Sequence, residues 1–141
     1  PMRVFSAAYL DELTAAAQQA TRGRQHSNIH AHYDERVQRL FNAIEPASYI
    51  RPHRHVAPEA DELLVAVRGT FVAVLFTAAG VVRSVVRFSA HGAELGAAAG
   101  VEVEAGEWHT VIALAPGSVL LEIKAGPFDP AAPKELALWA P

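Results

Sequence analysis

Ser48-Tyr49-Ile50-Arg51-Pro52-His53-Arg54-His55 decides how this chain is read. Aromatic and β-branched residues lead into a proline that resists helix, so the segment reads as strand. Successive strand side chains alternate faces and rise ~3.3 Å per residue, which puts His53 and His55 on one face ~6.6 Å apart, where two imidazoles can converge on one cation. On a helix, residues two apart diverge. Downstream, Glu62 opens Glu62-Leu63-Leu64-Val65-Ala66-Val67-Arg68-Gly69, an apolar strand closed by a turn glycine, and His109 lies in Gly106-Glu107-Trp108-His109-Thr110-Val111-Ile112. His53, His55, Glu62 and His109 together suit one divalent transition metal: zinc, iron, manganese, nickel or copper. The chain contains its own control, because His30-Ala31-His32 is a second His-x-His with no acid-plus-glycine sequel.

Working outward, Ser6 to Ala20 carries Leu10, Leu13 and Ala17 at helical spacing and predicts a helix ended near Gly23. Asp34 can cap a second helix, with Val37, Leu40, Phe41 and Ile44 at i, i+3, i+4 and i+7 and Pro46 as its stop. After Pro46 the period becomes strand-like, with β segments expected at 47–55, 62–68, 70–77, 81–88, 101–104, 109–114 and 118–124. This pattern predicts a mainly β protein, a small closed or two-sheet barrel over 47–141, with residues 1–46 as a helical extension packing on it. Several strands are apolar on both faces, so the outward faces need a cover, either the N-terminal helices or a second copy of the chain. A homodimer is therefore expected.

At these residues the chain resembles the cupins, and more narrowly the WbuC family of cupin-fold metalloproteins. The narrower resemblance rests on Val37-Gln38-Arg39-Leu40-Phe41-Asn42-Ala43, on Glu45 to His55, on Gly126-Pro127-Phe128-Asp129-Pro130 and on the closing Trp139-Ala140-Pro141. It implies a double-stranded β-helix, or jelly roll, with the metal inside. Cupins usually place the glutamate three or four residues after His-x-His, a spacing that Glu59 fits, whereas six residues intervene before Glu62. Glu62 is preferred because it precedes a glycine by the family's six residues and starts an apolar strand. In the second motif Glu104 replaces the usual proline and Ala113 the usual terminal asparagine.

Strand alternation also sets Tyr49 and Arg51 on the ligand face. Arg51 can hold a carboxylate or phosphate with its planar fork, or pair structurally with an acid such as Glu122. Tyr49 is either a proton donor or a packed aromatic. Asn28 and His30 either fold over the barrel to contact ligand or form a polar loop that caps the second helix. His26, His32 and His91 sit in polar contexts and need no role, and Trp108 faces away from His109.

The 141 residues fit one domain. Twelve basic and fifteen acidic residues give a net charge of −3 with scattered arginines, which argues against nucleic acid as a partner. With no cysteine there is no thiolate ligand or disulfide. Leu63 to Val82 is nearly apolar, but Arg68-Gly69-Thr70 at its middle would cost roughly 2.5–3.5 kcal/mol for the charge in a bilayer. Two strands joined by a turn fit better, and a cytoplasmic location without membrane contact is expected.

The expected activity is that of a metalloenzyme acting on a small polar or anionic ligand. The WbuC resemblance implies a role near surface-polysaccharide synthesis and hence a sugar or nucleotide-sugar substrate. The alternative is a non-catalytic, metal-dependent small-molecule binding module. No nucleophile with its base, phosphate-cradling loop or dinucleotide fingerprint is present.

Overall fold

A computed structural model describes residues 1–57, 60–131 and 134–141. One helix, α1 (Ala7–Gln19), is followed by ten strands: β1 (Arg24–Asn28), β2 (Val37–Ile44), β3 (His53–Arg54), β4 (Glu62–Arg68), β5 (Thr70–Phe76), β6 (Val82–Ser89), β7 (Gly100–Val103), β8 (Trp108–Ala113), β9 (Ser118–Ala125) and β10 (Glu135–Leu136). They form two five-stranded sheets, ordered β1-β2-β9-β4-β7 and β10-β3-β8-β5-β6, with every strand-to-strand pairing antiparallel. Ile44, Leu64, Val103 and Leu120 of the first sheet meet Phe71, Ala73, Phe88, Val111 and Ala113 of the second in one core.

The first helix forms where the apolar spacing predicts it. Ser6 caps it, its side chain accepting from Tyr9 N at 3.1 Å, and Leu10, Leu13 and Ala17 pack on Phe41, Ala43 and Val119. The helix therefore covers the outer face of the first sheet. Burying a leucine contributes about 1.5–3 kcal/mol, so this face anchors the element.

The second predicted helix is instead strand β2. Val37 to Ile44 is hydrogen-bonded to β1 on one side and β9 on the other. Phe41 and Ala43 face α1 while Ile44 faces the sheet-to-sheet core, so both faces carry apolar residues and imitate a helical stripe. Arg24–Asn28, within the expected helical extension, supplies β1, so the segment before residue 47 contributes two strands and one helix. Conversely, only His53–Arg54 of the expected 47–55 strand is in a sheet.

Leu63 to Val82 forms β4, β5 and the start of β6. The β4–β5 turn is made by Gly69 at φ 72°, where a Cβ would strike Ser118. Among the described residues no helix is long and apolar enough to cross a membrane.

Candidate metal centre

The two sheets bring the three histidines and Glu62 together. His53 on β3 lies directly across from His109 on β8, and their ring centroids are 4.5 Å apart. His55 follows β3, and its carbonyl accepts from Gly106 N at 2.8 Å, which ties it to the turn that launches β8. Gly106 holds that turn at φ 84°. Glu62 arrives from the other sheet at the first position of β4, its Oε2 2.8 Å from His55 Nε2. One ring nitrogen from each histidine lies within 4.8 Å of the other two. These three nitrogens, with the Glu62 carboxylate beside them, would hold a divalent cation.

The hydrogen bonds orient the rings for this. His53 Nδ1 donates to Arg51 O at 2.9 Å and His109 Nδ1 donates to Glu107 O at 2.8 Å. A nitrogen facing a carbonyl must carry the proton, so each Nε2 presents a lone pair. The Nε2 atoms of His55 and His109 are buried without a hydrogen-bond partner. The approach of His55 to Glu62 is short yet lacks the angle of a hydrogen bond. Buried polar atoms are normally satisfied, and donors that converge on a common point without bonding one another fit a cation between them.

The electrostatics agree. Burial, then the charges of His109 and Lys134, lowers the His53 pKa to about 3, and burial likewise lowers that of His109. Burial opposes the charge on Glu62, but the approach of His55 with the charges of Lys124 and His109 holds its carboxyl below the usual range. The ligand forms, neutral imidazole and carboxylate, are thus the favoured ones at neutral pH. Glu59, which fits the shorter spacing, lies outside the described residues.

These groups line a cavity of about 310 Å³, at the small end for a small-molecule site. Asn28 and His30 line it too, though from β1 and the residues just after it instead of a loop that caps a helix. His30 Nδ1 lies 3.0 Å from Arg39 N and 2.8 Å from Arg39 O, while its Nε2 is buried and unpartnered.

Tyr49 and Arg51 do not join them. Residues 47–52 form no strand, so the alternation that would turn both inward with His53 does not operate. Arg51 Nε and NH2 both donate to Ala137 O, at 3.0 and 2.7 Å, instead of pairing with Glu122. The Tyr49 hydroxyl donates to Pro141 O at 3.1 Å, and the residue is exposed. Trp108, as expected, turns away from His109 and packs under Arg54.

Several cavity residues escaped the sequence reading. Gln38, Leu40, Asn42 and Ile44 alternate along β2, and Leu120, Glu122 and Lys124 alternate along β9. His26, left without a role by its polar context, lines the cavity from β1. Glu122 accepts from Asn42 Nδ2 at 3.3 Å, and burial, reinforced by the charge of Glu62, raises its pKa to about 7. Residues 37–44 carry no polar–apolar alternation that would mark a strand, because both faces of β2 are buried and their apolar positions fit a helical spacing.

The fold is cupin-like, and it carries a candidate metal centre. KdgF from Halomonas sp. is 20% identical with a TM-score of 0.55, over 77% of this chain and 84% of that one. Protein SO0799 from Shewanella oneidensis is 14% identical with a TM-score of 0.64, over 89% of this chain and 82% of that one. The capsular polysaccharide assembling protein CapF from Staphylococcus aureus is 19% identical with a TM-score of 0.60, over 83% of this chain but 30% of that one. At such identities the likeness establishes the fold. The chain belongs to the family described as Domain of unknown function (DUF6016), whose model matches residues 5–88. No curated protein matches it.

Proposed function

We propose that this chain is a metalloenzyme acting on a small polar substrate of sugar or nucleotide-sugar type, in the synthesis of surface polysaccharide. The observation that carries the metal is the convergence of His53, His55, His109 and Glu62, with two buried Nε2 atoms left unpartnered, in a cavity with room for a small molecule. The resemblance to the WbuC family supports the substrate class, as does a fold shared with a protein described as assembling capsular polysaccharide.

His53, His55, His109 and Glu62 would hold a divalent metal, whose chemistry there would be Lewis-acid polarisation of an oxygen. The residues around it do the rest. Backbone carbonyls of Arg51 and Glu107 fix two ligand rings. Leu40, Ile44, Val111 and Leu120 give the cavity apolar walls, which strengthen electrostatic contacts inside it. Glu122, with a pKa raised to about 7, can exchange a proton near neutrality.

The test is metal analysis followed by turnover assays with sugars, keto acids and diols on the metal-loaded protein. Metal-dependent turnover that is lost in His109→Ala supports the proposal. Saturable metal-dependent binding without turnover on the whole panel contradicts it in favour of a binding module.

A further inference from the structure

Among the described residues, the cavity is lined by more cationic side chains than carboxylates. Arg22, Arg24, Lys124 and Lys134 line it together with two carboxylates, Glu62 and Glu122, before any divalent cation is counted. The arginine ion pairs of the described residues lie elsewhere: Arg54–Glu135, Arg68–Asp11, Arg83–Glu107 and Arg87–Glu94. None of the four cavity cations has an acidic partner among the described residues. Arg24 donates only to neutral oxygens, Ser48 Oγ at 3.2 Å and the Tyr49 carbonyl at 3.1 Å, and Lys124 Nζ stands 5.4 Å from the centre of the Phe128 ring.

The four come from separate places in the chain, two at β1, one on β9 and one just before β10, and they sense one another. The Lys134 ammonium is held below its ordinary pKa by burial first and then by the charge of Arg24, against the opposing charges of Glu62 and Glu122, with Lys124 adding a smaller lowering. Arg24 is lowered by burial and by Arg22. Gathering like charges costs folding free energy, so such a cluster is stabilising only when an anion joins it.

Two neutral groups point to the same occupant. His30 is 6% exposed and its Nε2 has no partner, and Asn42 Oδ1 is likewise buried and unpartnered. Both residues line this cavity. Polar atoms left open where a ligand enters are hydrogen-bonding positions for it.

We propose that the cavity takes a small organic anion, its carboxylate or phosphate held among Arg22, Arg24, Lys124 and Lys134 and its hydroxyl or carbonyl groups meeting His30 Nε2 and Asn42 Oδ1. This rests on the metal-centre reading only in that the same cavity serves both. It replaces Arg51, whose fork is occupied by Ala137 O, as the basis for anion recognition.

The experiment is calorimetry on the metal-loaded protein with matched pairs of probes, galacturonate against galactose and glucose 6-phosphate against glucose, at constant ionic strength. At least one anionic member binds and its neutral partner binds at least about tenfold more weakly. Lys124→Met and Lys134→Met each weaken the anion by about tenfold. Without ligand, Lys134→Met melts at the same temperature as the parent or higher, because it relieves repulsion. A structural lysine would lower it.

Metal content is measured on the same preparations, and the titrations are repeated on EDTA-treated protein. Lysine-dependent anion binding in protein that holds no metal would sink the metal centre and leave this proposal standing. Normal metal content overturns it if neither anion binds, if the neutral sugars bind equally well, or if both lysine variants bind within twofold of the parent.

Discussion

At the scale of single residues, burial does most to prepare the candidate site. The His53 pKa is lowered to about 3, chiefly by burial, so the fold prefers its neutral form. Its contribution to stability is complete above about pH 6.5 and is lost as the pH falls toward 3. Metal occupancy is therefore expected to survive mild acidification and to fail well below about pH 6.5. Half-release at or above that pH, followed by a metal-sensitive dye, would contradict the ring burial. Glu122 has the opposite sign: its pKa is raised to about 7 from 4.5, so its contribution is present below about pH 4.5 and is lost as the pH rises through 7. In metal-stripped protein, Glu122→Gln should gain thermal stability over the parent at about pH 8 and little at about pH 4. Equal shifts at both pH values would mean that this carboxyl is not held in its neutral form.

Among the elements, α1 and β2 depend on each other. The apolar stripe of Leu10, Leu13 and Ala17 has its counterpart in Phe41, Ala43 and Val119, and the contact is the cover that the outward apolar face of the first sheet requires. Leu13→Ala should cost about 2–5 kcal/mol in denaturant unfolding, while metal content in the folded state stays unchanged. A cost below about 0.5 kcal/mol would mean that the helix does not hold this sheet. This pair also marks where the sequence is legible. The first helix shows plainly in 7–19, because only one of its faces is apolar. Strand β2 does not, because it is buried on both faces and its Val37, Leu40, Phe41 and Ile44 fit a helical stripe equally well. That ambiguity hid Gln38 and Asn42 from the site. The histidines and Glu62 were legible because their spacing needs only strand alternation and two turn glycines. Tyr49 and Arg51 were placed inward by extending that alternation across Pro52, where no strand exists.

For the molecule as a whole, the helix covers one sheet and leaves the other open. Val82, Val85 and Ile112 are exposed on its outer face, and β6 is the last strand of its sheet. A homodimer through this face is the expected state, and Val85→Lys should shift sedimentation velocity toward the monomer. A parent protein that sediments as a monomer even in the tens-of-micromolar range would contradict it. The central claim, however, is the metal centre that spans both sheets. Its most direct measurement is elemental analysis of untagged protein, parent against His53→Ala, His55→Ala, His109→Ala and Glu62→Gln. The account predicts about one transition-metal ion per chain in the parent, sharply reduced in each histidine variant and weakened in Glu62→Gln. Metal content unchanged across the three histidine variants would contradict it.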